Sequence, residues 1–576
     1  MTRARSAPLA LAVVLLPLAG GCEPGAPPPA APRTEVELDE AGRGAVIADL
    51  RSAERAGDLE AVAAANGRLG RDARSRAARI LEFQLARADA DTGLLPWDSG
   101  PPRWIPRHTG ADLWPHLVDA AIELAPERLP AALRPLESER AVCGPLPCVI
   151  LLAPARIAPW VRDEDRLDQA AEYAADGLLP LVERHGDGPW LERLREATDA
   201  ILARATVPTR FGPVPANGAE ANGNLLQVLA RLSRITRDSR QLDMLERLLD
   251  VYLLDVIPRH GGLPPHFFAG GGQPGDERRF RLRDHGAEIV PGLAEAWLAE
   301  VDFGRDAAAR HAAPLAALLE RLLAVPRTAD GLWRDQLDLA TGAAQGGAID
   351  TWGYVAAAWQ IVDRGEGSES RGETVRGLMR AAAARAGSAW EGTNPDGPAD
   401  AIESMLLLLP FHDLADARAA VDHEVAGLFA FQDPTGSAGA GYLDGNVVRS
   451  ALLYARFKSL GATARPWRRD LALGAARDGD AVVLRLECSE PWTGRIRLDA
   501  ARHREIWGMA VDYPRRNASP EWLVVTPGDR VRSLDLATGA AREDSGAEWL
   551  RGFGVECAPG RPVRRRVERA GDDAQR

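Results

Sequence analysis

Asp350-Thr-Trp-Gly-Tyr-Val-Ala-Ala-Ala-Trp-Gln-Ile-Val362 decides the fold. A helix drawn through it carries Trp352, Tyr354, Val355, Ala356 to Ala358 and Trp359 nearly all the way round, which only a helix enclosed by other helices tolerates. Ala399 to Pro410, with Met405 and Leu406 to Leu409, repeats the pattern. The stretch between them, 371–386, is different: arginine and glutamate on one face, alanine or leucine on the other. The alternation extends outward from about Asp39 to Leu460, with apolar residues three and four apart, as in Leu225, Leu226, Val228, Leu229 and Leu232. It predicts enclosed helices over 111–125, 165–184, 222–236, 288–303, 351–364, 399–410 and 446–460, and half-wet partners over 191–206, 240–257, 306–324, 371–386 and 415–428.

Five of the enclosed helices start at a polar motif: Ala221-Asn-Gly-Asn224, Asp284-His-Gly-Ala-Glu288, Ala348-Ile-Asp-Thr-Trp-Gly-Tyr354, Asp396-Gly-Pro-Ala-Asp-Ala-Ile-Glu403 and Tyr442-Leu-Asp-Gly-Asn-Val-Val-Arg449. Anchored near their glycines, they recur at intervals of about 64 and then about 48 residues, each suited to one helical hairpin. Two concentric rings of hairpins would gather the motifs on one rim. This layout resembles the α/α toroid of the six-hairpin glycosidase and polysaccharide-lyase superfamily, over residues 40 to 460, with six or seven hairpins fitting equally. The expected class is therefore mainly α, a toroid over 35–465. Beyond Trp467 the texture changes to short alternating runs, among them Ala481 to Cys488 and Glu521 to Thr526, which predict a small sandwich-like β-domain over 466–560. A toroid followed by a β-domain is an order the lyase-type enzymes also show. The β-domain is expected to pack against the toroid, with carbohydrate binding through Trp492, Trp507 or Trp522 as the alternative, and the Arg-rich 561–576 reads as a solvated charged tail.

The N-terminus has the layout of an export signal: Arg3 and Arg5, an apolar run from Leu9 to Leu18, then Ala19-Gly20-Gly21 before Cys22. It resembles a bacterial lipoprotein signal, although Leu18 stands four rather than three places before the cysteine. The resemblance implies lipidation at Cys22, a membrane anchor, and a location facing the periplasm or cell surface, with 23–34 as a proline- and alanine-rich tether. An exported chain permits disulfides Cys143–Cys148 and Cys488–Cys557; unpaired buried thiols are the alternative. A net charge of -12 argues against a general grip on nucleic acid. Lys458 is the sole lysine, so Schiff-base chemistry lacks a supply of amines. There is no HExxH, no CxxC zinc spacing and no DDxxD-like motif, so neither a metal nor a cofactor is expected.

Helix N-termini on one rim present unsatisfied N–H groups, which favours anionic ligand groups and would suit uronic acids. Candidate acid and base residues are Asp284, His285, Glu288, Asp350, Asp400 and Glu403, the carboxylates competing with a helix-capping reading. Asn222, Asn224, Tyr354, Asp444, Asn446 and Arg449 are candidate substrate contacts, with Asp444-Gly445 also readable as a tight structural turn. Fifteen tryptophans against six tyrosines suggest ring stacking on sugars, with Trp97, Trp104 and Trp352 nearest the polar loops. The expectation is an oligo- or polysaccharide hydrolase using carboxylate acid–base chemistry. The alternatives are a uronate lyase, with Tyr354 or His285 taking the proton, and a noncatalytic glycan-binding or structural lipoprotein.

Overall fold

The structure is a computed structural model that describes residues 36–97, 101–152, 154–158, 163–270, 275–283, 286–390, 393–439 and 441–570. The signal, Cys22 and the tether lie outside the described residues, as do Asp284 and His285. The chain is mainly helical with a C-terminal β region.

Seven enclosed segments carry the first core. They are Trp114–Leu124 with the π-helical Pro106–Leu113 before it, the run 163–185, Ala219–Thr236, Ile289–Asp302, Trp352–Glu366, Asp396–Leu408 and Tyr442–Lys458. Each packs against the next in chain order, and Tyr442–Lys458 packs against Trp114–Leu124. The half-wet helices Leu129–Cys143, Pro189–Leu202, Ser239–Val251, Ala307–Leu323, Gly372–Ala384 and Ala415–Ala430 each lie on the enclosed helix before them. Helix ends therefore fall within a few residues of those read from periodicity. An N-terminal pair, Glu40–Ala56 and the long Leu59–Arg87, completes the helical part, the latter lying on Tyr442–Lys458 and Trp114–Leu124. Short strands that the 3.6-residue pattern hid, such as Arg279–Arg281, Arg334–Asp338 and Ala344–Ala348, form a three-stranded sheet just ahead of the enclosed helices they lead into.

Gly223, Gly353 and Gly445 turn out to be contact points between neighbouring enclosed helices. A Cβ on Gly353 would stand 2.5 Å from Cβ and the backbone oxygen of Ser404, and one on Gly223 would stand 2.5 Å from the Ile289 backbone nitrogen. Gly445, read as part of a turn, lies inside the first turn of Tyr442–Lys458 against the backbone of Asp112 and Leu113. Gly353→Ala is expected to destabilise the protein by about 1–3 kcal/mol through overpacking, read as a lower thermal midpoint, while Gly377→Ala, which meets nothing within 4 Å, should not.

Between the outer helices, His311 is fully buried and hydrogen-bonds Glu300 at 2.8 Å and Asp250 at 3.0 Å, with Glu246 and Arg310 beside them. Burial alone would lower the imidazole, but its bonds and charges from Glu300 and Asp250 outweigh this and raise it above its ordinary value. A raised folded-state pKa means the contribution is complete below about pH 6.5 and is lost as pH rises through the folded value. His311→Gln should therefore cost about 3 kcal/mol at pH 6 and progressively less toward pH 9, measured by denaturant unfolding across that range.

The C-terminal strands form an antiparallel five-stranded sheet, in the order Ala541–Ser545, Arg530–Asp535, Val563–Ala570, Ala481–Glu487, Ala472–Asp478, beside a three-stranded one. Strand Ala472–Asp478 lies on helix Leu59–Arg87, where Gly67 meets Ala472 and Gly474 backbone to backbone and Asn66 donates to the Ala475 carbonyl at 2.8 Å. The expectation of a solvated tail is corrected: Val563–Ala570 is an interior strand of this sheet. Its buried Val567 alternates with arginines whose charges are met by Glu60, Asp478, Asp535 and Glu568, so a run of arginine concealed a period of two. Both expected disulfides, Cys143–Cys148 and Cys488–Cys557, are formed.

Candidate active site

The starts of the first, fifth, sixth and seventh enclosed segments, with Asp176 midway along the second, line a cavity of ≈ 220 Å³. Arg107, His108 and Asp112 come from the first segment, Asp176 from the second, Asp350, Thr351 and Tyr354 from the fifth, Asp396 and Asp400 from the sixth, and Tyr442, Asn446 and Arg449 from the seventh. None of the candidate carboxylates Glu288, Asp350, Asp400 and Glu403 caps its helix through the side chain. Glu288, Asp400 and Glu403 have tertiary partners instead.

Asp400 accepts from Arg449 and faces the Tyr354 hydroxyl at 3.5 Å. Glu403, one turn deeper, accepts from Tyr354 at 2.9 Å, is paired with Arg449 at 3.0 Å, and takes the Asn517 backbone N–H at 3.2 Å. Burial, reinforced by Asp400 and Glu403, pushes the Tyr354 hydroxyl well above its ordinary range, so it remains a donor. Burial would lower the Arg449 guanidinium, but Glu403 and Asp400 hold it firmly charged. Asp396 accepts from Asn446, and Asp350 accepts the Thr351 N–H at 2.9 Å.

The floor comes from the β region. Residues 501–521 leave it, enter the ring from the C-terminal ends of the helices and return, reaching the cavity with Arg516 and Asn517. At the base of this loop Arg502 donates to the Ser519 carbonyl at 2.6 Å and His503 meets Glu521 at 2.7 Å. Midway, Trp507 and Arg515 both bond Glu183, at 2.6 and 2.9 Å. Burial raises the Glu183 carboxyl, but Arg515 and Arg231 overcome this and hold it below its ordinary value. At the tip, Arg516 is 2% exposed, pairs with Asp176 and with Glu288 at 2.7 Å, donates to the Asn224 side-chain oxygen at 2.8 Å and lies over the Tyr354 ring. Asn517 adopts a left-handed backbone (φ 58) and donates to Asp176 at 2.6 Å. A non-glycine residue held there costs on the order of 1 kcal/mol or more, so the surrounding contacts over-determine the tip.

The rim is aromatic: the half-buried Trp97 stacks on His108 (4.5 Å) and on Tyr442 (5.3 Å). The other two expected tryptophans are elsewhere. Trp104 and Trp352 are fully buried in the core, because each sits on the side of its segment facing neighbouring helices. Asn222 is buried and ties its helix start to the Ala216 carbonyl and the Tyr252 hydroxyl, at 2.9 and 3.0 Å. Asp444 is fully buried and accepts from Gln84, Ser437 and the Ala438 N–H, bracing the loop ahead of its helix. Asn224 and Glu288 act on Arg516 and do not line the cavity.

Five aspartates line the cavity against three arginines, and each arginine is already engaged by two carboxylates, Arg107 by Glu172 and Glu220 at 3.0 and 2.7 Å. The wall's positive groups are thus already taken up by its own carboxylates. Sequence reasoning missed Arg107, Asp112, Asp176, Arg516 and Asn517. Asp112 follows Thr109-Gly-Ala in a tryptophan-rich stretch and could have been grouped with the other motifs, whereas nothing local to Pro514-Arg-Arg-Asn517 signals a partner hundreds of residues upstream.

No protein-family profile and no curated protein matches the chain. Among solved structures, it is similar to an α-1,6-mannanase of Salegentibacter sp. HEL1_6, described as an inactive variant in complex with α-1,6-mannotetrose, with 13% identity and a TM-score of 0.39 over 67% of this chain and 98% of that one. A sugar epimerase from a ruminal bacterium matches with 12% identity and a TM-score of 0.38 over 52% and 82% of the two chains. An unsaturated glucuronyl hydrolase from Streptococcus agalactiae matches with 14% identity and a TM-score of 0.35 over 53% and 83%.

Proposed function

We propose that this chain is an exported glycoside hydrolase, built as a closed α/α toroid, that cleaves a neutral oligo- or polysaccharide at one chain end. The observation that carries the proposal is the cavity itself: carboxylates from both sides of the ring, a floor closed by Arg516 and Asn517, and a mouth edged by the Trp97–His108–Tyr442 stack. Its ≈ 220 Å³ is below the range of sites for drug-sized ligands, about 300–1,000 Å³, and suits one sugar ring. Hydroxyl groups match the dense acceptors, and an aromatic edge suits the apolar face of a second ring.

In this reading Asp400, paired with Arg449 and facing the Tyr354 hydroxyl, is the base or nucleophile. Asp112, from the first segment, has no arginine within ion-pairing distance among the described residues, its one such partner being His108 at 3.6 Å, and it is the cavity carboxyl we assign to donate a proton to the leaving oxygen. Asp350 is the third wall carboxylate in reach of the sugar. Glu403 and Glu288 position Arg449, Tyr354 and Arg516. Elimination is the weaker reading, since Tyr354 is held protonated and no uncommitted wall arginine is present among the described residues to neutralise a uronate. The N-terminal signal supports anchoring through a lipidated Cys22 on a bacterial membrane surface. Among the described residues no helix is long and apolar enough to cross a membrane.

Purified protein should release monosaccharide from a neutral glycan in a panel that also contains uronate polymers, with new reducing ends and no rise in unsaturated-uronate absorbance. Asp112→Asn should lower that rate by about 10²-fold or more. Absorbance rising with the reducing ends, or inertness toward all neutral glycans by a folded protein, would overturn the proposal.

A further inference from the structure

At the far end of the ring from the carboxylate cavity lies a second one, of ≈ 290 Å³, between the C-terminal ends of helices Trp114–Leu124 and Leu179–His185 and strands Thr463–Arg465 and Trp492–Arg497. Its character is the reverse of the first. Arg184, Arg465, Arg497 and Arg502 line it. Its two inner carboxylates are already engaged: Glu123 by Arg74 and Arg456 at 3.0 and 2.8 Å, and Asp499 by Arg184 and Arg502, both at 3.1 Å. Glu505 stands exposed at the edge.

The guanidiniums retain donors. Arg502 is 2% exposed, yet its Nε and Nη1 have no hydrogen-bond partner. A buried guanidinium with unused N–H groups costs free energy unless something fills the place. Arg465 bonds only the Ile122 and Glu123 carbonyls, both at 2.6 Å, and Arg497 only the Leu550 carbonyl at 2.7 Å; among the described residues neither has a carboxylate partner. Burial, with Arg456 and Arg502, lowers Arg184 to about 10 despite Asp499; burial lowers Arg465 against the raising charge of Glu123, with a smaller contribution from Arg497.

We propose that this cavity is a binding site for a divalent oxyanion of the phosphate or sulfate class. Planar guanidinium forks match the geometry of such anions, and a doubly charged oxyanion would supply acceptors to Arg502 while offsetting Arg465 and Arg497. The site joins the helical ring to the β region and the base of the 501–521 loop, so occupancy would hold that loop's root in place.

The test is calorimetric titration of the full chain in mild detergent with inorganic phosphate, sulfate and glycerol 3-phosphate, at constant ionic strength set with chloride. One saturable site per chain is expected, with affinity reduced about tenfold or more in Arg497→Gln and in Arg465→Gln. Arg530→Gln, an exposed arginine paired with Glu543, should bind as the parent does. Arg497 is exposed and makes one backbone bond, so its variant should fold, as circular dichroism would verify. Binding of glycerol 3-phosphate as tight as phosphate would identify a phosphoester as the occupant, and loss of binding on esterification the free anion; either supports the site. Absence of saturable binding to all three, or equal binding by folded Arg497→Gln and Arg465→Gln, would overturn it.

Discussion

Arg516→Met is expected to lower stability by about 3–5 kcal/mol. The side chain of methionine fills much of the volume but leaves Asp176 and Glu288 as buried carboxylates without their shared cation, and the Asn224 oxygen without its donor. Removing one member of a buried ion pair costs this much because the remaining charge keeps its desolvation penalty and loses its compensation. Urea unfolding of the variant measures it. The attribution makes a second demand: Asp176→Asn together with Glu288→Gln in the same background should recover much of the loss, since the two carboxylates that lost the guanidinium are then neutral amides. Equal destabilisation with and without those two changes would refute the network account and leave loss of packing as the cause. Arg516→Lys should fall between, because an ammonium offers a point charge where the guanidinium reaches three groups at once.

Asp400→Asn is expected to reduce turnover by about 10²–10⁴-fold with little change in folding, if the cavity performs carboxylate-assisted hydrolysis. The amide keeps shape and an acceptor oxygen near Arg449 and Tyr354 but removes the charge. Glu403→Gln supplies the contrast. Glu403 is 3% exposed and satisfied by Arg449, Tyr354 and Asn517, so its loss should appear chiefly as reduced stability and weaker substrate binding. Steady-state rates for both variants on the glycan found active decide between the roles. A fully active Asp400→Asn beside an inactive, well-folded Glu403→Gln would exchange the assignments.

The enclosed and half-wet helices were legible because their signal is local. Trp352 to Val362 is apolar all round and 371–386 is not, and that contrast survives whatever packs around them. The rim was legible in outline for the same reason, since helix starts follow from where periodicity begins. What individual motif residues do was not. Asn222 and Asn446 occupy comparable places at their helix starts, yet Asn222 is spent on Ala216 and Tyr252 while Asn446 lines the cavity. Trp97 and Trp352 both adjoin polar loops, and only the first reaches the rim.

By itself, then, the sequence determined the helical alternation, the β texture after Trp467, the cysteine pairs available and a carboxylate-rich set of helix starts, all properties of spacing along the chain. Only the tertiary structure decided that the rim's positive groups are consumed by its own carboxylates, that Gly223, Gly353 and Gly445 are helix contacts, and that Arg516 and Asn517 close the floor. Those facts depend on partners far apart in the chain, such as Asn517 with Glu403, 114 residues apart, and Arg516 with Asp176, 340 apart. A charged side chain in a short loop looks solvated in sequence, and it becomes a buried cross-link only when the fold places opposite charges around it and removes the water.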